Sequence, residues 1–150
     1  MNEFKPFDDK LAGLIGALSP ASRRKLAAEI AKELRKSQQQ RIKQQKAPDG
    51  TPYQARKRQP LRAKKGRIKR AMFQKLRTSR YMKASAHNDS AVVEFTGKVQ
   101  RIAQIHHFGL KERPNPYSQE VQYIKRELIG FNETEWREIY DICHSVLMVR

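Results

Sequence analysis

From Gly50 to Ala86 the chain carries 13 Lys or Arg and no Asp or Glu, and no fold can bury such a run. Like charges at this density repel one another, and each cation taken out of water needs a partner that the segment does not contain. The flanks differ. Residues 1–49 hold 11 basic and 6 acidic side chains, and residues 87–150 hold 8 and 9. One central stretch therefore supplies +13 of the net +17. Charge acts through fields that fade over roughly 8–10 Å in physiological salt, so the position of this excess says more than its sum. Between Gln54 and Arg70 apolar residues are too sparse for a buried face, while Arg56, Lys57, Arg58, Arg62, Lys64, Lys65, Arg67, Lys69 and Arg70 repel each other. The segment reads as a mobile basic loop or arm.

Folding must then come from the flanks. At 150 residues, 38% of them apolar, the chain has material for one hydrophobic core and hardly for two. The expected organisation is a single domain over 1–150, with a helical part at 8–46, the basic loop at 47–70, a sheet-containing core at 71–131 and a C-terminal helix at 132–147. Part of it is expected to order only on assembly. The one cysteine, Cys143, rules out an internal disulfide, which suits a reducing cytoplasm. Glu3, Lys5, Asp8 and Asp9 interrupt the N-terminus too often for a signal peptide, and no later segment reaches the ~18 apolar residues of a membrane span.

Hydrophobic periodicity places the elements. Leu11, Leu14, Ile15 and Leu18 form an i, i+3, i+4, i+7 stripe that predicts a short amphipathic helix. Ser19-Pro20 stops it and opens a second, with Ser19 as cap, Pro20 in the first turn, and Leu26, Ile30 and Leu34 recurring beside Ala27 and Ala31 as far as about Gln45. The other face of this helix is basic and Gln-rich, as expected of a surface turned to solvent or a partner. Pro48-Asp49-Gly50-Thr51-Pro52-Tyr53 is a turn by its chemistry. Tyr81–Ala86 and Ala91–Thr96 predict a β-hairpin around His87-Asn88-Asp89-Ser90. Val99 to Phe108 suits a short helix or a bent strand ended by Gly109, Lys111–Ser118 a Pro-containing loop, and Val121, Tyr123 and Leu128 a further extended segment. Asn132 with Glu135 makes a capping-box pattern ahead of Trp136, Ile139, Tyr140, Cys143, Val146 and Leu147, a last helix expected to pack on the sheet. The fold class is α+β: N-terminal helices, a small antiparallel β-sheet and a C-terminal helix, with a long basic loop.

Catalytic chemistry finds little support. His106 and His107 are adjacent, so they point apart on a helix or a strand, unlike the i, i+4 pair of a helical zinc site. Cys143 and His144 do not face each other on a helix, and Cys143 falls on the apolar stripe. Asp8-Asp9 and Glu133/Glu135 stand where carboxylates oppose a helix dipole. The glycines form no phosphate loop, and Gly13-Leu14-Ile15-Gly16, although it fits a backbone-clamping pattern, lies inside an apolar stripe. No enzyme, metal or cofactor is expected. The basic stretch leaves two readings open. It can neutralise nucleic-acid phosphates, or it can face an acidic protein surface, and Tyr53, Phe73 and Tyr81 make no clear stacking platform for single strands.

Four places carry a resemblance to a known family. These are the N-terminal helical pair ahead of Pro48-Asp49-Gly50-Thr51-Pro52-Tyr53, the basic segment after it, Ile105-His106-His107-Phe108-Gly109 following Arg101-Ile102-Ala103, and Val121-Gln122-Tyr123-Ile124-Lys125-Arg126-Glu127-Leu128-Ile129-Gly130-Phe131. Together they resemble the tail-completion, or virion-morphogenesis, proteins of temperate contractile-tailed bacteriophages over nearly the full length. The family's His-x-aromatic-Gly stretch corresponds to His106, Phe108 and Gly109, its Tyr-x-x-Arg-Glu-Leu-x-Gly run to Tyr123, Arg126, Glu127, Leu128 and Gly130, and its turn to Pro48, Asp49 and Gly50. The residue at His107 is often Gln in that pattern. The resemblance implies a non-enzymatic virion protein made in the host cytoplasm and added at the head-proximal end of the tail, where it completes the tail and helps it join the head. A homo-oligomeric ring, sixfold to match a tail tube, is expected by analogy. Its neighbours would be tail terminator, tube, and head-completion or connector proteins, with contact to phage DNA left open and no membrane partner.

Overall fold

The computed structural model describes residues 5–56, 71–87 and 89–148. Within them lie helices α1 (Lys5–Gly16), α2 (Pro20–Lys43), α3 (Gly97–Phe108) and α4 (Glu133–Met148), and strands β1 (Met82–Ala86), β2 (Ala91–Phe95), β3 (Lys111–Glu112) and β4 (Val121–Gln122). The architecture is α+β, as the sequence predicts. Its strands form two separate two-stranded sheets, β1-β2 and β3-β4. Of the basic residues named in the expected loop, only Arg56 lies among the described residues. Lys57, Arg58, Arg62, Lys64, Lys65, Arg67, Lys69 and Arg70 fall outside them.

The described residues gather into two compact units, one drawn from 1–37, 83–94 and 131–150 and the other from 38–82 and 95–130. In the first, the Ser19-Pro20 corner works as its chemistry suggests: the Ser22 N–H donates to Ser19 Oγ at 3.2 Å, satisfying one of the free donors at the start of α2. Leu18, Leu26 and Cys143 form a buried core against Leu11, Ile15 and Ile30 on one side and Ile139, Ile142, Val146 and Leu147 on the other. The last helix was expected to pack on the sheet. Its apolar stripe instead enters this all-helical cluster, where three stripes of the same 3.6-residue period interlock. Leu14, counted in the α1 stripe, is 47% exposed, because Leu11, Ile15 and Leu18 already fill the buried face.

The start of α4 is doubly fixed. The Glu135 N–H donates to Asn132 Oδ1 at 2.9 Å and the Asn132 N–H to Glu135 Oε2 at 3.2 Å, the reciprocal capping box. Ser37 Oγ donates to Glu135 Oε1 at 3.0 Å, so a carboxylate only 1% exposed has partners on both oxygens. Trp136, expected on the inward stripe, is 50% exposed and stacks on Phe131 at 5.2 Å. These positions, N′ and N4, make a hydrophobic staple that sets the chain's entry into the helix.

In the second unit the stretch before Gly109, open between helix and bent strand, is helical. The expected loop from Lys111 begins as a strand: β3 pairs antiparallel with β4 in the register Lys111↔Gln122, Glu112↔Val121. The tip between them closes on itself, with the Tyr117 N–H donating to Asn115 Oδ1 at 2.9 Å and the Asn115 N–H to Ser118 Oγ at 3.2 Å. From Tyr123 to Asn132 the chain has no regular secondary structure. Ile42, Met72, Leu76, Met82, Ala103, Ile105 and Leu128 are among the buried apolar residues here.

Urea denaturation should find Leu26→Ala destabilising by ~2–5 kcal/mol, the cost of a buried cavity. Asn132→Ala should cost ~0.5–2 kcal/mol through the lost cap.

Candidate functional site at the root of the basic segment

The four-residue interval of Leu26, Ile30 and Leu34 runs on to Gln38 and Ile42, so the last turns of α2 carry polar side chains into the second unit's interior. Gln38 is 2% and Arg41 7% exposed. The Gly130 N–H donates to Gln38 Oε1 at 3.1 Å and Arg41 Nη2 donates to the Gly130 carbonyl at 3.0 Å, while Arg41 also bonds to Gln38. Both backbone groups of Gly130 are thus held by one helix face. A Cβ at Gly130 would lie 2.6 Å from Pro48 Cγ, so Pro48, itself buried, fills the space a side chain would need.

Asp49 and Gly50 form the exposed corner beyond Pro48. The Thr51 N–H donates to Asp49 Oδ1 at 2.9 Å, and hydrogen bonding to Thr51 lowers the Asp49 carboxyl below its usual range. Gly50 takes φ 88°, where other residues are strained. The chain returns through Tyr53, whose N–H donates to the Gln45 carbonyl at 2.8 Å and whose hydroxyl donates to the Glu127 carbonyl at 2.7 Å. Burial pushes the Tyr53 phenol up to about 12, against the opposing pull of Arg41. It therefore remains a donor at any physiological pH.

Arg126 is buried. Its Nε donates to the Gln54 carbonyl at 2.9 Å and its Nη2 to the Ala55 carbonyl at 3.2 Å, so it grips the chain immediately before the basic run. Its own N–H donates to the His106 carbonyl at 2.8 Å. Across the same region runs a file of edge-on rings: Tyr53 to Phe73 at 5.7 Å, Phe73 to His106 at 5.2 Å, and His106 to Tyr123 at 5.0 Å. Burial, then Arg126 and Arg56, lowers the His106 pKa. Burial also lowers that of His107, whose Nδ1 accepts from the Leu128 N–H at 3.1 Å; that contact requires the neutral ring. Gly109 ends α3 at φ 65°, and a Cβ there would stand 2.8 Å from the Lys125 nitrogen. Phe108 is exposed and lies edge-on to His107 at 4.6 Å.

The structure thus brings Pro48, His106, Gly109, Tyr123, Arg126, Glu127, Leu128 and Gly130 into one unit, in which Arg126 holds Gln54 and Ala55 just ahead of the basic run. Asp49, Gly50 and Phe108 lie at its surface, and Arg56 is the one member of the basic set described there. Sequence reasoning missed Gln38, Arg41, Gln45 and Phe73. For the first two a signal existed, since they continue the α2 stripe, but their polarity put them on the solvent side. Among the described residues no three of His, Cys, Asp and Glu converge as a metal site would require, and burial pushes the Cys143 thiol up, away from reactivity. No helix among those residues is long and apolar enough to cross a membrane.

Comparison with known proteins identifies the family. Residues 2–148 match the model of the phage virion morphogenesis family. Tail completion protein S of Escherichia phage P2 is 50% identical over 143 residues, covering 95% of this chain and 95% of that protein. No solved structure matches.

Gly130→Ala should destabilise the protein by ~1–3 kcal/mol in urea unfolding, because Pro48 has to move. The lowered histidines fix a pH response. Their folded pKa values lie below the ordinary 6.5, so the unfolded chain takes up protons first. Stability should be flat above about pH 7 and fall as pH drops through about 6.5 toward the folded values. His107→Gln, which keeps an acceptor for the Leu128 N–H, should reduce that slope when melting temperature is followed against pH.

Proposed function

The chain belongs to the phage virion morphogenesis family, and from that premise we propose that it is a structural component of a phage virion that completes the tail at its head-proximal end and enables the tail to join the head. The observation that carries the reading is near-complete coverage by a tail completion protein at 50% identity; partial or local likeness would support only a shared module. The chemistry is consistent with it. Polar side chains in the second unit are spent on gripping backbone, and exposed apolar side chains, Ile102, Phe108, Leu110 and Val121 among them, give a surface that neighbouring subunits could cover. The protein works without catalysis, by occupying a place in an assembly.

Its partners are copies of itself in a closed ring, sixfold by analogy with a tail tube, and the adjoining tail terminator, tube and head-completion or connector proteins. It is made in the host cytoplasm and ends in the virion tail. A second reading is favoured by the 13 cations without an acid between Gly50 and Ala86: the same stretch binds phage DNA or another nucleic acid through its phosphates.

Light scattering coupled to size exclusion, across a concentration and salt series, decides between them. Discrete closed oligomers that survive moderate salt are expected. Monomer at every concentration, together with normal head–tail joining when the protein is absent, removes the structural reading. Mass gained only with added nucleic acid and lost as salt rises puts the second reading first, and charge reversal at Lys64, Lys65 and Arg67 should then flatten the salt dependence by about 2–3 in log–log slope.

A further inference from the structure

Among the described helices α4 alone has a net negative charge. It holds 4 acids and 1 base, whereas α2 holds 8 bases and 2 acids. In a chain of net +17 such a surface is unsuited to nucleic acid, whose phosphates it repels. Glu133, Arg137, Asp141 and Met148 make an exposed stripe at helical spacing, and Trp136 with its stacking partner Phe131, both exposed, stands at the start of it. Negative charge is crowded on this helix: burial, then Glu135 and Glu33, raise the Glu138 carboxyl against the pull of Lys36, and Asp141 adds to the rise. The second unit presents the opposite surface. Residues 97–125 hold 5 bases and 2 acids. Arg101 Nη2 lies 2.9 Å from Glu112 Oε1, which ties the exposed stripe of α3, Arg101, Gln104 and Phe108, to one face of the β3-β4 ribbon. By the pleat, that face also carries Leu110 and, opposite Glu112, Val121. Phe108, Leu110 and Val121 are exposed, and exposed Lys98, Lys111 and Arg113 stand beside them in the chain.

We propose that the outer face of α4 in one copy docks on the α3–ribbon face of a second copy, so that the protein associates head to tail, with Trp136 and Asp141 on one side and Phe108, Leu110 and Val121 on the other. Charge decides the direction. Two copies of the cationic face, or two of the anionic one, would set like charges against each other, which an interface tolerates poorly; only the unlike pair is complementary. Each face supplies apolar side chains for the centre of a contact and charges for its rim, and an exposed Trp is the kind of anchor on which such contacts depend. An interface made of two different faces is heterologous, and it repeats from copy to copy until rotation closes it into a ring. The inference rests on the structural reading above and assigns the surfaces through which that reading works.

The test exploits that direction. Phe108→Glu sets an acid on the cationic face, and Asp141→Arg sets a base on the anionic one. Both sites are exposed; Leu110→Glu or Met148→Arg takes the place of either variant whose far-UV circular dichroism departs from the wild type. Light scattering coupled to size exclusion follows the whole chain in each case. Each variant alone should need at least about tenfold more protein to assemble than the wild type. Mixed in equal amounts, the two should form dimers and nothing larger, since each keeps one intact face and the two intact faces are complementary. In the wild type, zero-length carbodiimide coupling in a mixture of isotope-labelled and unlabelled chains should join α4 carboxylates to lysines of residues 97–125 across copies. Assembly that either variant leaves unchanged, or links between copies that avoid both faces, overturns the docking and leaves the tail-completion reading standing. A mixture no larger than its separate components overturns the head-to-tail arrangement. Wild-type protein that is monomeric at every concentration overturns it too, and the tail-completion reading is then decided by head–tail joining in the protein's absence. Open-ended growth of the wild type, abolished by either variant, upholds the docking and removes the closed ring.

Discussion

Gly130 is held by its N–H and its carbonyl at once, by Gln38 and Arg41 on one face of α2, and the second unit's arrangement follows from that grip. It fixes the end of the stretch that contains Arg126 and Leu128 against the helix. Pro48 can then close on Gly130, and the turn after α2 is directed back through Tyr53 to the Glu127 carbonyl. Arg126, set by the same run of backbone, reaches Gln54 and Ala55. Buried polar groups stabilise little on balance when satisfied and cost heavily when not. A network of this kind therefore selects one arrangement of the chain over near alternatives more than it deepens the fold.

The elements legible in the sequence were those with a local cause. The Ser19 cap, the Pro48–Tyr53 turn, the hairpin at His87–Ser90, the Gly109 stop and the Asn132–Glu135 box each depend on residues a few positions apart. What was not legible depended on distant partners. Gln38 and Arg41 read as solvent-facing because a buried amide or guanidinium is recognised only by what it meets, and Gly130 stands some 90 positions away. The inward reading of Trp136 failed for a related reason: a ring at N4 has a competing partner at N′. The two-residue strands β3 and β4 are too short for any alternation to show. For the site, the motif residues His106, Tyr123, Arg126 and Gly130 could be named from resemblance, but their convergence on the root of the basic segment required the structure.

Charge is distributed with the same economy. The buried cations Arg41 and Arg126 both find backbone carbonyls, and the acids Glu133 and Glu135 stand in the first turn of α4, where the helix dipole favours them. Those two carboxylates thus serve a local task in the flank that carries them.

The ribbon of β3 and β4 has a further use. Its base is fixed, with the Tyr123 N–H on the Leu110 carbonyl at 3.1 Å and Gln122 Nε2 on the Gly109 carbonyl at 2.6 Å, while its tip closes on itself through Asn115 and Ser118. A peptide inserted between Pro116 and Tyr117 would lengthen a loop whose ends are already anchored, at an entropic cost of about 0.6 kcal/mol per doubling. The tip is therefore where an epitope or fluorogenic tag can ride on the intact chain, letting its arrival in a growing particle be timed without disturbing either unit's core.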